Sequence, residues 1–282
     1  MSQAKKVFTR MCLNNWGGID HKVLEFHEYV NLFSGKSGSG KSTVMDAIQV
    51  ILYGSFSPSF LNKAADDAKN RRSVLSYLRG EQKDGSANRK DCDFCSVIAL
   101  EIEDTGTHII TCIGIAFEVR KSDSEIKKFV YFSHSGKMPE SEYLTEQGVC
   151  YSNQEIKKLV SARTKSDDNR GKGEVNRIYG SKEAYLGTLY DVILGYIDQN
   201  RFITMEKSAI ALKMTNGTGQ FIRDYMFPKN TSNTIATISE QLDSYRQIKD
   251  KIEDLRKRIE ILTDIQTSGQ ELVRLQSDKI RA

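Results

Sequence analysis

Residues 30–43 read VNLFSGKSGSGKST, an apolar run that turns into Gly-x-x-x-x-Gly-Lys-Ser. Few patterns restrict a fold so strongly, because this one works only between a strand and the first turn of a helix. Gly35, Gly38 and Gly40 allow backbone conformations closed to other residues, so successive N–H groups converge on one anion. Lys41 then supplies a charge for the β- and γ-phosphates and Ser42 a hydroxyl for Mg²⁺. The helix that follows turns the positive end of its dipole toward the same place. Val44, Ile48, Ile51 and Leu52 recur at helical spacing, and Gly54 stands where a C′ residue belongs. The stretch predicts a loop that binds the phosphates of a nucleoside triphosphate, entered by a strand over residues 29–33.

Composition narrows the setting. Hydrophobic residues make up 39% and charged residues 28% of the 282 residues, which suits a globular protein with a charged helix attached. The net charge of +4 neither requires nor opposes nucleic-acid binding. Five cysteines and no apolar leader fit a reducing cytoplasm, and no stretch approaches the ~18 apolar residues that span a bilayer. Cys92 and Cys95 form a C-x-x-C, but no second pair follows at ligand spacing and the four histidines are scattered. The pair reads as two ordinary thiols.

In chain order, residues 7–15 alternate as a strand, residues 14–18 form a turn, and residues 22–26 form a second strand. Trp16 reads as a core or edge aromatic. Residues 55–90 are polar and basic, with Lys63, Lys69, Arg71, Arg72, Arg79, Lys83, Arg89 and Lys90 and a short helix over 70–78. That face either tracks a DNA backbone through phosphate contacts or is a solvated surface diluted by carboxylates. Residues 94–103, 107–119 and 127–134 are strands whose short connections imply an antiparallel meander. Residues 155–162 form a helix and 164–174 a polar loop. A second helix covers 181–196, capped by Ser181, with Tyr185, Leu189, Val192 and Ile193 on its apolar face. A polar interruption at 197–202 precedes a helical segment over 220–227.

After Pro228 the apolar positions step Ile238, Leu242, Tyr245, Ile248, Ile252, Leu255, Ile259, Leu262, Ile265, then Leu272 and Leu275, the seam of a coiled coil with one break in phase near Tyr245–Ile248. Two parts follow, residues 1–228 as a lobe and 229–282 as the start of an arm. A helix of this kind buries nothing alone, so a partner is expected from elsewhere.

This layout resembles the SMC-type ATPases, which belong with ABC-type heads. Phe60-Leu61-Asn62-Lys63-Ala64-Ala65-Asp66 and Ser76-Tyr77-Leu78-Arg79-Gly80 resemble the MukB-like condensin branch of MksB and JetC, the latter from the Wadjet plasmid-defence system. Leu13-Asn14-Asn15-Trp16 and Phe221-Ile222-Arg223-Asp224-Tyr225 resemble the same branch. The resemblance implies an α/β (α+β) fold, an ABC-type P-loop head lobe running into an antiparallel coiled-coil arm. It implies ATP and Mg²⁺ as cofactors, with Gly35, Gly38, Ser39, Gly40, Lys41, Ser42 and Thr43 as the ATP-binding loop. Arg79 matches an arginine near the γ-phosphate or DNA. Gln199 is the candidate for the glutamine that senses Mg²⁺ and the γ-phosphate, or else is an ordinary loop residue. Implied partners are DNA, the C-terminal half of the same head, a second copy, kleisin and KITE subunits, and a nuclease subunit. The location implied is the bacterial nucleoid.

ABC-type hydrolysis also needs an apolar strand ending in Asp-Glu and a Ser-Gly-Gly signature loop. Asn216-Gly217-Thr218-Gly219-Gln220 is not that signature, because no such strand follows it. Both elements are expected beyond Ala282, so this stretch binds ATP without completing a catalytic site. Two other functions fit the same residues: an SbcC-like repair ATPase that gates a nuclease, and a coiled-coil scaffold switched by ATP.

Overall fold

Strand β1, Lys6–Trp16, is buried on both faces through its second half, so it belongs inside a sheet and not at its edge. Met11 and Leu13 enter one apolar cluster and Cys12 enters another on the opposite face. Its neighbours are β2, Ile19–Glu25, and β3, Phe94–Asp104, both antiparallel. Then come β4, Ile110–Val119, β5, Lys128–Ser135, and the short β6, Arg177–Tyr179. The sheet runs β2-β1-β3-β4-β5-β6, with every neighbouring pair antiparallel. These are features of a computed structural model that describes residues 5–36, 38–57, 73–82, 85–167, 175–210, and 259, 262 and 266. The antiparallel meander expected from the short connections is present. Asp104 makes the β3–β4 connection tight by accepting from the N–H groups of Gly106 at 2.8 Å and Thr107 at 3.1 Å.

Helices α1, Lys41–Tyr53, and α2, Val74–Arg79, contribute to the larger cluster on one sheet face. So do α4, Lys182–Gly187, and the π-turn Thr188–Ile193 that continues it. The other face is covered by α3, Asn153–Asp167, and by the excursion that holds Met138, Tyr143 and Cys150. In β4, Gly114 lies opposite Phe132 of β5, and a Cβ there would come within 2.7 Å of the Phe132 ring. Helix α5, Gln199–Ile210, ends the described part of the first of two units, Met1–Lys213 and Met214–Ala282.

Several expectations change. Residues 29–33 are not a strand: Tyr29, Val30 and Leu32 are 77%, 78% and 88% exposed. A strand needs a neighbour to take its N–H and C=O groups, and this segment closes on itself instead. Asn31 accepts from the His27 N–H at 2.7 Å and donates to its carbonyl at 2.8 Å. Residues 164–167 are helical, because α3 continues to Asp167. The helix over 181–196 is interrupted by the π-turn, where Leu194 N–H bonds to Leu189 O, and the wider turn carries Val192 outward to 50% exposure. Residues 199–202 are the start of α5, with Asp198 accepting from the Arg201 N–H at 2.8 Å.

The segments around 60–66, 216–227 and the coiled-coil seam lie outside the described residues, except Ile259 and Leu262. Those two are helical and about as exposed as each other, 62% and 63%.

One buried polar pair ties the excursion to the sheet. His134 Nε2 lies 2.9 Å from the Tyr143 hydroxyl and Nδ1 lies 3.0 Å from the Ser135 carbonyl. Burial holds the imidazole down at about 4, against 6.5 when solvated. Between those values the unfolded chain binds a proton that the folded chain refuses. Stability from this group is therefore complete above pH 6.5 and lost as pH falls toward 4, by about 3 kcal/mol. Denaturant unfolding at pH 7 and pH 4.5 should show most of that loss, about 2.5 kcal/mol, and a His134→Gln variant should show a flatter slope.

Candidate functional site

The phosphate loop takes the conformations its glycines permit. Gly38 and Gly40 both have φ +85°, and a Cβ at either would meet nothing within 4 Å, so the inside of the turn is open. Lys41 Nζ donates to the carbonyls of Gly35 at 2.6 Å and Lys36 at 2.9 Å, and to Ser39 Oγ at 3.3 Å. The structure thus gathers Gly35, Ser39 and Lys41 into one knot. Ser42 is exposed one residue into the helix, and the Thr43 side chain is buried beneath it.

The helix start has a telling chemistry. Helices α2, α3, α4 and α5 each carry a side-chain cap, from Ser73, Ser152, Ser181 and Asp198. Helix α1 begins at left-handed Gly40 with no side-chain cap. Its first N–H groups lack intrahelical acceptors, and an anion is what such a terminus accepts. An oligophosphate fits the residues present: open glycine backbone, uncapped amides, one ammonium and one exposed hydroxyl.

Helix α1 is held at both ends. Trp16 Nε1 donates to the Thr43 carbonyl at 2.9 Å. At the other end, the hydroxyls of Tyr185, Tyr190 and Tyr131 donate to the carbonyls of Ile51, Leu52 and Gly54, at 3.0, 3.0 and 2.7 Å. The carbonyls that a helix leaves over at its C-terminus are thereby satisfied inside the core. The first turn of α1 is thereby tied to β1 and its last turn to the core.

A cleft of about 520 Å³ opens beside the loop, lined by Ser34, Ser39, Gly40 and Lys41 and by Asp20, Lys22 and Leu24 of β2. Lys22 adds a second ammonium to the lining, a role sequence reading did not assign. In the β1–β2 ladder Lys22 pairs with Leu13 and Leu24 with Met11, which puts both side chains on the α1 face. A larger hollow of about 1020 Å³ lies between α3 and residues 140–148. Its lining has Glu140, Glu142, Glu146 and Glu155 against Lys158, the wrong charge for a phosphate chain.

The other candidates fall elsewhere. Arg79 donates to the carbonyls of Asp123 at 2.5 Å and Lys121 at 3.2 Å, so its guanidinium grips the β4–β5 connection, not the phosphate loop. Gln199 is the first residue of α5 and half-buried. That helix is bonded to α1 through Gln49 Nε2 and Glu206 at 3.2 Å.

The basic face over 55–90 loses Arg89, which is buried with its guanidinium bonded to Leu78 O, Gly17 O and Asp20. Lys90 is exposed, while Lys63, Lys69, Arg71, Arg72 and Lys83 lie outside the described residues. Cys92 is exposed, and burial pushes the Cys95 thiol up to about 11. Among the described residues, no helix is long and apolar enough to cross a membrane.

Comparison with known proteins adds the family. No curated protein matches the chain. Two solved structures illustrate a distant likeness. One comes from work on ATP-driven dimerization and DNA-stimulated activation of SMC ATPases, at 16% identity, covering 46% of this chain and 72% of that one, with a TM-score of 0.31. The other is the recombination mediator RecF with ATP, from the RecFOR pathway, at 15% identity and a TM-score of 0.31. It covers 85% of this chain, which spans 54% of the RecF chain. The AAA domain family matches residues 10–279, nearly the whole length. The loop built around Lys41 lies within that match, and the chain belongs to the AAA domain family of ATPases.

Proposed function

We propose that this chain is the ATP-binding N-terminal part of an SMC-like head, and that a further polypeptide stretch completes the head at the nucleotide end. The observation that carries this is the exposure of Tyr29, Val30 and Leu32 directly before the phosphate loop, at 77%, 78% and 88%. A short, largely apolar run that enters such a loop is strand material. Left uncovered, it asks for a neighbouring strand on the open side. The C-terminal half of the same head is the neighbour the resemblance implies.

In this reading the residues divide the work simply. Amides at the start of α1 and the Lys41 ammonium would hold the phosphates, the Ser42 hydroxyl would hold Mg²⁺, and Lys22 adds a second positive charge to the lining of the same cleft. Bound Mg²⁺ would neutralise phosphate charge. Gln199 acts only once a completing stretch and a second copy are in place. ATP then joins two heads, and hydrolysis releases them, moving the complex on DNA. The partners proposed are DNA, a second copy, and kleisin and KITE subunits, in a condensin-like complex of the MukB, MksB and JetC branch. A nuclease subunit joins if the system is of the Wadjet type, and the working place is the bacterial nucleoid.

The test is a double variant, Val30→Lys with Leu32→Lys. Both side chains are exposed in this chain, so its unfolding free energy should change by less than about 0.5 kcal/mol. The complete polypeptide should lose DNA-stimulated ATP turnover and ATP-dependent dimerization. Full turnover in the double variant would show that nothing docks on this segment and would overturn the proposal.

A further inference from the structure

Trp16 is the single tryptophan of the chain, fully buried, and it does more than fill the core. Its ring stacks on Tyr77 with centroids 5.1 Å apart and planes 6° from parallel. Its indole N–H donates to the carbonyl of Thr43, the residue next to Ser42. The Tyr77 hydroxyl donates to the Asp46 carboxylate, one turn further along the same helix. The backbone closes the arrangement: Gly17 N–H bonds to the Tyr77 carbonyl at 2.8 Å. A Cβ on Gly17, at φ +59°, would lie 2.5 Å from Thr43 Cγ2. Two hydrogen bonds, from Trp16 at the end of β1 and from Tyr77 of α2, therefore converge on the first two turns of α1, with Gly17 packed close against the same Thr43.

We propose that Trp16 is a positioning residue for Mg²⁺ in this site, with Tyr77 as its support; the proposal rests on the nucleotide reading above. A helix can rotate slightly about its axis and still present backbone amides to an anion, because several N–H groups share that task. A single hydroxyl has no such tolerance. The bond from Trp16 to the Thr43 carbonyl fixes the rotation of the turn that bears Ser42, and so fixes where Ser42 Oγ points. Losing that bond should leave phosphate contacts largely intact while misplacing the hydroxyl that the metal needs.

The experiment uses the 282-residue chain and compares ATP affinity with Mg²⁺ and with EDTA by calorimetry, in wild type and Trp16→Phe. Phenylalanine keeps an aromatic ring for the Tyr77 stack and removes the N–H. The expected result is about fivefold to tenfold weaker binding with Mg²⁺ and less than a twofold change with EDTA, the size of one lost hydrogen bond. Gly17→Ala reaches the same Thr43 from its other side and should show the same selectivity. Equal losses in both conditions, no loss in either, or unfolding of both variants would overturn the proposal and leave Trp16 a core residue. Failure of the wild type to bind ATP, or equal binding by Lys41→Ala, would instead sink the nucleotide reading and this proposal with it.

Discussion

Lys41→Ala should weaken ATP binding by a factor of about 100 or more while leaving the fold intact. The ammonium already has three oxygen neighbours in the loop, at 2.6, 2.9 and 3.3 Å, so its position is set before any ligand arrives. Hydrogen bonds to charged groups are worth about 1.5–3 kcal/mol each, and a lysine shared between two phosphates loses both at once. The sum, about 3 kcal/mol or more, is the expected factor. The side chain lies at the rim of the cleft and supports no core residue, so unfolding should shift by about 0.5 kcal/mol or less. Lys41→Arg keeps the charge but replaces a point donor by a planar fork too long for the same knot, and should recover only part of the affinity. Calorimetric titration with Mg²⁺-ATP, alongside thermal unfolding, checks both halves. ATP affinity within threefold of wild type would remove Lys41 from the site.

What could be read from the sequence was local. The phosphate loop, the helix from Lys41 and its end at Gly54 depend on residues a few positions apart, and the structure has them where the pattern put them. The meander was legible for a similar reason, since alternation and short connections leave antiparallel pairing as the simple solution. Contacts across a hundred or more positions were not legible. Nothing near Tyr185 or Tyr190 announces that their hydroxyls bond to the end of α1, 134 and 138 positions away.

Residues 29–33 failed for the opposite reason. Their pattern is that of a strand, but pairing is a property of two segments, and the neighbour is absent from the described residues. The π-turn illustrates a third limit. A reading at 3.6 residues per turn puts Val192 on the buried face, and one widened turn is enough to rotate it out while Leu189 and Ile193 stay in. Asp198 is different, since an Asp directly ahead of a helix is itself a cap signal in the sequence.

Charge misleads most where it looks clearest, and Arg89 provides the sharpest test. In sequence it is one cation among eight on a basic stretch. In the fold its Nε donates to Leu78 O at 2.9 Å, Nη1 to Asp20 at 2.8 Å and Nη2 to Gly17 O, and its guanidinium lies 5.7 Å from the Phe94 ring. Burial pulls its pKa down, and Asp20 pushes it back up. Arg89→Ala would strip the donor from two buried carbonyls, and we expect a loss of about 3 kcal/mol. In a domain of this size that is roughly 6–12 °C in melting temperature. Asp20→Ala removes only a carboxylate that is 82% exposed, and should cost less than about 1 kcal/mol. Because Gly18, Ile19 and Asp20 line the cleft beside Lys41, Arg89→Ala should also weaken ATP binding at temperatures where the protein is still folded. A surface arginine that merely meets DNA predicts the reverse pattern: unchanged melting, unchanged ATP affinity and weaker DNA binding. Thermal unfolding of Arg89→Ala beside Asp20→Ala decides between the two, and melting within 2 °C of wild type, about the shift expected for 1 kcal/mol or less, would return Arg89 to the surface.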